Sequence, residues 1–351
     1  MKEDVKQKAL QIIQSYDGPK LRIMEVCGTH THEIFRLGIR KILPEQIELI
    51  SGPGCPVCVT PVGFIDEAIE LASDHHATIC TFGDLIRVPG SEKSLASARA
   101  EGADVKVVYT PTDAVEYAKE HPEKEVVFLS VGFETTTPSS CIAVEQAKEA
   151  GLSNFTILTA NKTMPSAYRM LKGSVDVYLY PGHVNAITGT IFCESLTKEG
   201  ISGIVTGFTA NELLTAIAVA VKKFKEGKPF FVNAYPRVVT KEGSKNAKEL
   251  VDRLMESCDT EWRGLGMIPE SGMKLRKEYE AFDARKHFRI EPIKGRENPA
   301  CRCGEVLQGK CKPSDCPCFG TACNPMHPVG ACMVSNEGAC SAYYQYGGKI
   351  R

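Results

Sequence analysis

The hydrophobic residues of this chain gather in short segments that are rich in valine and isoleucine. Each segment is five to seven residues long, and glycine or proline often follows it. This pattern is typical of strands that are buried inside a sheet. It predicts eight strands, at residues 21–26, 47–51, 77–82, 105–110, 125–131, 155–160, 175–180 and 201–206.

Amphipathic stretches lie between these segments and predict helices. The clearest are residues 62–74 and 138–151, where apolar side chains recur three and four positions apart. Gly151 stands where the second of these helices is expected to end, because glycine readily adopts the backbone conformation of a helix terminus. Regular alternation of strand and helix predicts an α/β fold, with parallel sheets covered by helices.

We expect the strands to form two similar, doubly wound parallel-sheet domains, followed by a cysteine-rich domain. The polar, charged stretch 112–125 favours a boundary near residue 120. After residue 230 the alternation stops: residues 238–259 resemble a helix, and residues 262–288 lack strand periodicity. The predicted ranges are 1–120 for the first α/β domain, 121–235 for the second, and 236–351 for a helical, loop-rich iron–sulfur domain.

The overall composition excludes several classes of function. The chain has 351 residues, 43% of them hydrophobic, and its net charge of -1 gives no basis for binding nucleic acid. The N-terminus has no apolar signal core, and the apolar run 213–221 is too short to span a membrane, so we expect a cytoplasmic protein. The chain has no P-loop and no dinucleotide-binding glycine motif, which disfavours a nucleotide-dependent enzyme.

The fifteen cysteines are unusually many for a protein of a reducing compartment, where metal binding or redox chemistry is a more common use than disulfide bonds. Eight of them lie in a Gly- and Pro-rich tail, between Cys301 and Cys340. We expect such a tail to bury little apolar surface and to need a metal centre to fold. Thiolates in such a segment suit a [4Fe–4S] cluster or zinc, and the irregular spacing favours the cluster. Spacing alone does not select four ligands from Cys301, Cys303, Cys311, Cys316, Cys318, Cys323, Cys332 and Cys340.

A second group of chemically active residues follows the predicted strands. Because functional loops of open parallel sheets lie at the carboxyl ends of the strands, we expect these residues to converge on one cleft between the two sheets. The residues concerned are Cys27, His30, His32, Cys55, Cys58, Asp84, Arg87, Glu134 and His183.

Cys27 lies where the first strand passes into a helix. Amide groups and the helix dipole at that place favour an anion, so we expect a lowered thiol pKa and a thiolate that is a nucleophile or a soft-metal ligand. His30 is three residues further on and could complete such a site. Cys55 and Cys58 fit a dithiol–disulfide couple or half of a metal site, and the absence of another C-x-x-C favours the redox pair.

Taken together, these motifs resemble the HypD family of [NiFe]-hydrogenase maturation proteins, nearly from end to end. Several long motifs in a fixed order are much more specific than one cysteine pair. The matching stretches are EVCGTHTHEIFR (25–36), SGPGCPVCVTP (51–61), TFGDLIRVPGS (81–91), SVGFETTTP (130–138), YPGHV (180–184), ENPACRCGEVL (297–307) and GACMVSNEGACSAYYQY (330–346).

The resemblance implies a scaffold on which the Fe(CN)₂CO unit of the hydrogenase active site is assembled. Cys27 would bind the iron with His30 beside it, and Cys55 and Cys58 would form a redox pair. The small chaperone HypC would share the iron, and HypE would supply cyanide, with this chain a monomer within that heterocomplex. The implied ligands of the [4Fe–4S] cluster are Cys316, Cys323, Cys332 and Cys340.

Two other functions remain open at the level of sequence. The cluster and the dithiol together resemble ferredoxin:thioredoxin reductase, which favours a disulfide reductase that depends on Cys55 and Cys58 but not on Cys27. The other is a binding module that zinc stabilises and that has no catalytic activity. Whether the isolated chain turns over a substrate also remains open.

Overall fold

The computed structural model describes residues 2–347, and all eight predicted strands are present in it, with ends within three residues of the predicted ones. Three further strands follow them after residue 230. The strands are β1 Leu21–Glu25, β2 Ile47–Ser51, β3 Thr78–Thr81, β4 Val105–Val107, β5 Val126–Ser130, β6 Phe155–Thr159, β7 Val177–Pro181, β8 Ser202–Thr206, β9 Phe231–Asn233, β10 Met255–Trp262 and β11 Gly266–Leu275.

Helices connect most of these strands, and the two clearest predicted helices are confirmed as α3 and α6. Gly151 follows α6 with a positive φ of 67°, as its predicted role requires. No helix between residues 2 and 347 is long and apolar enough to cross a membrane. The helices are α1 Lys2–Gln14, α2 Gly28–Arg36, α3 Val62–Ser73, α4 Leu95–Ala100, α5 Pro111–Glu120, α6 Thr137–Glu149, α7 Met164–Met170, α8 Gly182–Thr188, α9 Ile191–Ser195, α10 Ala210–Phe224, α11 Lys245–Leu254, α12 Ala284–Phe288, α13 Cys303–Leu307 and α14 Ala339–Tyr346.

The strands form two parallel sheets of similar topology, which confirms the predicted fold class. The first sheet has the order β2-β1-β7-β8-β9, and the second has the order β4-β3-β5-β6. In each, the second strand along the chain lies on one side of the first strand, and the later strands lie on the other side. Both sheets are therefore doubly wound, and each has a point where the strand order reverses.

The second sheet is inserted into the first along the chain. The first sheet is built from β1 and β2 and is completed by β7 to β9, after all strands of the second sheet have formed. Each sheet thus takes strands from both sides of residue 120. The domain ranges 1–120, 121–235 and 236–351 stay predictions, and their terminal residues 1 and 348–351 lie outside the described residues.

Four hydrophobic cores cover the two sheets. α1 and α10 cover one face of the first sheet, and its other face packs on α7, α9 and the cysteine-rich tail, residues 301–340. The second sheet packs on α3 and α4 at one face and on α5, α6 and α11 at the other. The tail is therefore part of the core of the first sheet.

The region after residue 230 differs from the sequence prediction. The predicted helix 238–259 is wrong at both ends, because the helix begins only at Lys245 and ends at Leu254, where β10 follows from Met255. The stretch 262–288, which showed no strand periodicity, contains β11, and the two strands form an antiparallel hairpin. Polar side chains occupy both faces of β10, so its sequence lacks the alternation that marks a half-buried strand.

The loop 52–58 (GPGCPVC) packs its backbone directly against the start of α2. The Gly28 amide donates a hydrogen bond of 2.9 Å to the Gly54 carbonyl oxygen. A Cβ atom at Gly54 would lie 2.1 Å from the Cys27 backbone nitrogen, a distance that no side chain can occupy. Gly54 is therefore required by close approach of two backbones.

Glu134, after β5, connects the second sheet to α7. Its Oε1 accepts a hydrogen bond of 2.9 Å from the Met164 amide at the first turn of that helix. Its Oε2 is buried and has no partner in the described part of the chain. Burial raises the pKa of Glu134 to about 7, although the Met164 amide acts in the opposite direction.

We predict that Gly54→Ala lowers the free energy of unfolding by about 1–3 kcal/mol or more, because the new methyl group must displace backbone. Gly83→Ala is the matched control, since its Cβ would meet its nearest neighbour, Val107, at an ordinary 3.7 Å. Urea unfolding of both variants measures the difference. Equal stabilities would contradict the proposed close packing at Gly54.

We also predict that Glu134 makes stability depend on pH. Because its folded pKa lies above the ordinary value of 4.5, the unfolded chain loses this proton first, and the free energy of unfolding falls as pH rises from 4.5 to about 7. Relative to Glu134→Gln, the wild type should lose on the order of 3 kcal/mol over that interval. Urea unfolding at several pH values tests this, with exposed Glu149→Gln as control; parallel curves for wild type and Glu134→Gln would refute it.

Candidate iron and thiol site

Two residues of the candidate site meet where the strand order of the first sheet reverses. β1 and β7 are neighbours there, and the segments that follow them carry Cys27 and His183. The Cys27 sulfur lies 3.8 Å from His183 Nε2. In open α/β sheets this crevice is the usual place for a ligand. Both residues are among the nine that the sequence predicted at one cleft, and the pairing of β1 with β7 brings these two into contact.

The environment of the Cys27 thiol differs from the sequence expectation. Cys27 precedes α2 with an extended backbone, and it is 2% exposed. Burial raises the pKa of this thiol to about 12, although the amides of His30 and Thr29 act in the opposite direction. The expected lowering of the pKa by the helix terminus is therefore wrong, because desolvation of a thiolate outweighs the nearby amides. The free thiol is neutral.

His30 lies beside this pair but is held by other contacts. It is fully buried, its Nε2 is 3.0 Å from the Gly207 carbonyl oxygen, and its ring packs on Phe208 at 4.8 Å. Burial lowers the pKa of His30 to about 3, and nearby His183 acts in the same direction. His183 stacks on the same Phe208 ring at 5.0 Å. The two neutral imidazoles thus flank one aromatic ring.

The end of the tail closes over α2. The Thr29 hydroxyl donates a hydrogen bond of 2.7 Å to Glu337, and His32 lies 3.2 Å from the Asn336 carbonyl oxygen. A Cβ atom at Gly28 would lie 2.4 Å from the Glu337 Cβ, so glycine is needed for this approach. The hydrogen-bonding contact of His32 is therefore with the tail and not with Cys27.

Two further predicted cleft residues also hold the tail. Asp84 Oδ2 accepts a hydrogen bond of 2.8 Å from the Ser335 hydroxyl, and Arg87 donates one of 2.9 Å to the Pro325 carbonyl oxygen. Both residues belong to the segment after β3 of the second sheet. The tail is therefore fixed by the strand ends of both sheets.

Cys55 and Cys58 lie together inside the GPGCPVC loop. The Cys58 amide donates a hydrogen bond of 3.3 Å to the Cys55 sulfur, and the thiols are 3% and 1% exposed. Burial raises the pKa of Cys58 well above its usual value, while contact of its thiol with that of Cys332 acts in the opposite direction. The dithiol thus touches the cysteine-rich tail through Cys58.

The residues between these two cysteines reach the second sheet. Pro56 and Val57 line a cavity of about 310 Å³ together with Phe82 and Asp84 after β3 and Val131 after β5. β3 and β5 are neighbours where the strand order of this sheet reverses. The GPGCPVC loop therefore lies between the crevices of both sheets.

The thiols of the tail form a connected group. The Cys332 thiol lies near those of Cys303, Cys340 and Cys58, and its pKa is raised well above the usual value, first by the Cys303 thiol. Cys301 adjoins Cys303, and both sulfurs lie beside Gly330. The sequence left Cys301 and Cys303 outside the implied ligand set. The spacing of the cysteines gave no signal that Cys303 lies next to Cys332 in the folded chain.

The other implied cluster ligands occupy the outer part of this group. The Cys323 sulfur accepts a hydrogen bond of 3.3 Å from the Val329 amide. The Ala300 carbonyl oxygen lies 3.8 Å from the Cys316 sulfur and 3.5 Å from the Cys318 sulfur. Cys311 lines a separate cavity of about 530 Å³ next to β2. Within residues 2–347, no three His, Cys, Asp or Glu side chains are arranged to hold one metal ion. The donor set itself, thiols alone, suits iron–sulfur chemistry.

Comparisons with known proteins find similarity to one family along nearly the whole chain. The sequence model of the HypD family, described as "Hydrogenase formation hypA family", matches residues 3–347. The hydrogenase maturation factor HypD of Escherichia coli (strain K12) is 44% identical over 350 residues, covering 98% of this chain and 94% of that protein. The chain is also similar to the hydrogenase expression/formation protein HupD of Azotobacter chroococcum mcd 1, 42% identical over 93% of this chain and 89% of the relative.

A third relative is also similar to this chain over nearly its whole length. The hydrogenase maturation factor HypD of Cupriavidus necator is 41% identical over 345 residues, which cover 94% of this chain and 90% of that protein. The family match and these identities extend over both sheets and the tail. The chain therefore belongs to the HypD family of hydrogenase maturation factors.

Proposed function

We propose that this protein is the scaffold on which the Fe(CN)₂CO unit of a [NiFe]-hydrogenase is assembled, with the iron bound through Cys27. The main support is the pair formed by Cys27 sulfur and His183 Nε2, 3.8 Å apart at the reversal point of the first sheet. Low-spin iron with cyanide and carbon monoxide ligands prefers a soft thiolate. The membership of the HypD family supports the same role.

The residues around Cys27 suit this task. Metal binding requires the thiolate, so the neutral Cys27 thiol must release a proton when iron arrives. Burial lowers the pKa of His183, so its imidazole is neutral, and its Nε2 lies 3.8 Å from the thiol that must lose this proton. Buried His30 supports the site through the Phe208 ring that it shares with His183.

The proposal includes partners and cofactors. HypC would share the iron, HypE would supply cyanide, and the complex would act in the cytoplasm with this chain as a monomer. A [4Fe–4S] cluster would be held by Cys316, Cys323, Cys332 and Cys340, and when bound it would supply single electrons. Because Cys58 touches Cys332, the Cys55–Cys58 dithiol lies between the tail and the Cys27 loop.

A second candidate function rests on that same thiol contact. A disulfide reductase would use the Cys55–Cys58 pair next to the tail thiols, as in the resemblance to ferredoxin:thioredoxin reductase. Such an activity would not need Cys27. The two candidates therefore differ in which cysteine is indispensable.

We predict that Cys27→Ala abolishes iron delivery and leaves the tail intact. Wild type and variant should be purified without oxygen together with the HypC partner, and their infrared spectra recorded. Cyanide and carbon monoxide bands should appear in the wild type and be lost in the variant, because the soft ligand is missing. Cys141→Ala, which removes a buried thiol in α6, is the control and should keep the bands.

Unchanged bands and full hydrogenase maturation with Cys27→Ala would rule out the iron site at Cys27. A separate metal and sulfide analysis of the same samples should give equal iron–sulfur content for wild type and variant. Zinc without sulfide in the wild type would instead favour a binding module that zinc stabilises.

We further predict that Cys55 and Cys58 form a reversible disulfide. Mild oxidation of the wild type, followed by thiol alkylation under denaturing conditions and mass spectrometry, should show both residues protected, because the Cys55 sulfur lies 3.3 Å from the Cys58 backbone in the same loop. Cys58→Ser should leave Cys55 open to alkylation and slow maturation, whereas Cys80→Ser, buried in β3, should keep the disulfide. Full maturation by Cys58→Ser would contradict a redox role for the pair.

A further inference from the structure

Arg263 is a buried cation in the turn between β10 and β11, and it is 6% exposed. Between residues 2 and 347 no carboxylate forms an ion pair with its guanidinium. An arginine side chain is always charged in proteins, and an isolated charge is costly to bury unless an opposite charge compensates it. Arg263 therefore indicates a nearby negative group other than a carboxylate of the described residues.

Part of the guanidinium is free to meet such a group. Its Nη2 donates a hydrogen bond of 3.0 Å to the Pro89 carbonyl oxygen, which connects the hairpin turn to the second sheet. Its Nη1 is buried and has no partner in the described part of the chain. Because nearly all buried donors are paired in folded proteins, this second nitrogen points to an acceptor that the folded chain alone does not supply.

The backbone holds Arg263 between two segments that carry thiols. Its amide donates a hydrogen bond of 2.9 Å to the carbonyl oxygen of Val59, the residue directly after the GPGCPVC loop. A Cβ atom at Gly264 would lie 2.4 Å from the Gly304 Cα, so the turn packs its backbone on α13, whose first residue is Cys303. Arg263 is thus fixed between the dithiol loop and the start of the cysteine-rich tail.

The Arg263 charge acts on the tail through Cys301. The pKa of Cys301 is raised, first by the neighbouring Cys303 thiol, and the Arg263 charge acts in the opposite direction. Cys301 in turn lies near the thiols of Cys323 and Cys340, two of the proposed cluster ligands. The buried cation is therefore beside the thiol that connects the inner and outer parts of the thiol group.

A metal centre held by thiolates is a negative group that fits this place. Metal binding requires thiolates, and a [4Fe–4S] centre with four of them is an anion that becomes more negative when it takes up one electron. A cation in a buried position interacts more strongly with the more negative form. It therefore favours reduction of the centre over its oxidation.

We propose that Arg263 is the counter-ion of the thiolate metal centre in the tail and that its charge raises the reduction potential of this centre. The proposal rests on the cluster of the proposed function and adds a residue that no ligand role includes. Arg263 is a positioning residue: it binds no metal, and its charge acts through the thiols. The cost of burying that charge is compensated when the thiolates form.

The test measures reduction potentials of the full chain, purified without oxygen. Arg263→Gln removes the charge and keeps a donor for the Pro89 carbonyl oxygen. A stepwise reductive titration followed by electron paramagnetic resonance should show the reduction equilibrium shifted at least about tenfold toward the oxidised form, which is about 59 mV lower for one electron. Arg263→Lys keeps the charge, and its potential should stay near that of the wild type.

Arg87→Gln is the matched control. Arg87 is exposed and also donates to a proline carbonyl oxygen, that of Pro325 in the tail. Solvent and salt screen its charge, so the potential should not change. Equal potentials in wild type and Arg263→Gln overturn the counter-ion role and leave the cluster in place, as does an equal fall in Arg263→Lys. A wild type without iron and sulfide contradicts the cluster itself, and this role with it.

Iron and sulfide content and circular dichroism are measured for every variant, with Arg263→Met as a second neutral variant. The same fall in potential is expected in each neutral variant that retains the cluster. Loss of the cluster from both neutral variants, with retention in Arg263→Lys, supports the proposal because the charge is then required for binding. Loss from all three variants assigns a purely structural role to this side chain and overturns the proposal.

Discussion

The contact between the GPGCPVC loop and the start of α2 is the constraint on which the rest of the site depends. Gly54 allows the loop backbone to lie directly on Cys27, and the hydrogen bond from Gly28 fixes their register. From that position Pro56 and Val57 reach the second sheet, and Cys58 reaches the tail. A single loop therefore sets the relative positions of the Cys27–His183 pair, the second sheet and the tail thiols.

The GPGCPVC loop lies between two crevices, one in each sheet. Each is doubly wound, and each presents a crevice at the carboxyl ends of its central strands. In the first crevice, burial keeps the Cys27 thiol and the two histidines neutral. In the proposed function, the buried thiolate would form only when iron binds, and the metal would then compensate the cost of its charge.

The tail is stabilised by the sheets as well as by its own thiols. Ser335 donates a hydrogen bond to Asp84 after β3, and Glu337 accepts one from Thr29 after β1. Cys332 touches the dithiol through Cys58. The tail thus completes the core of the first sheet with buried side chains such as Leu307, Cys332 and Met333, so the expectation that it buries little apolar surface is wrong.

The sequence alone predicted eight strands and two main helices, because hydrophobic periodicity and glycine placement are local signals. It also singled out Cys27, Cys55 and Cys58 as candidate reactive groups, a role that stays a prediction. Only the tertiary structure decided that β1 pairs with β7, that His183 faces Cys27 and that Cys303 joins Cys332. Strand pairing, contacts between distant cysteines and desolvation depend on residues far apart in the chain, and such contacts leave no periodic signal.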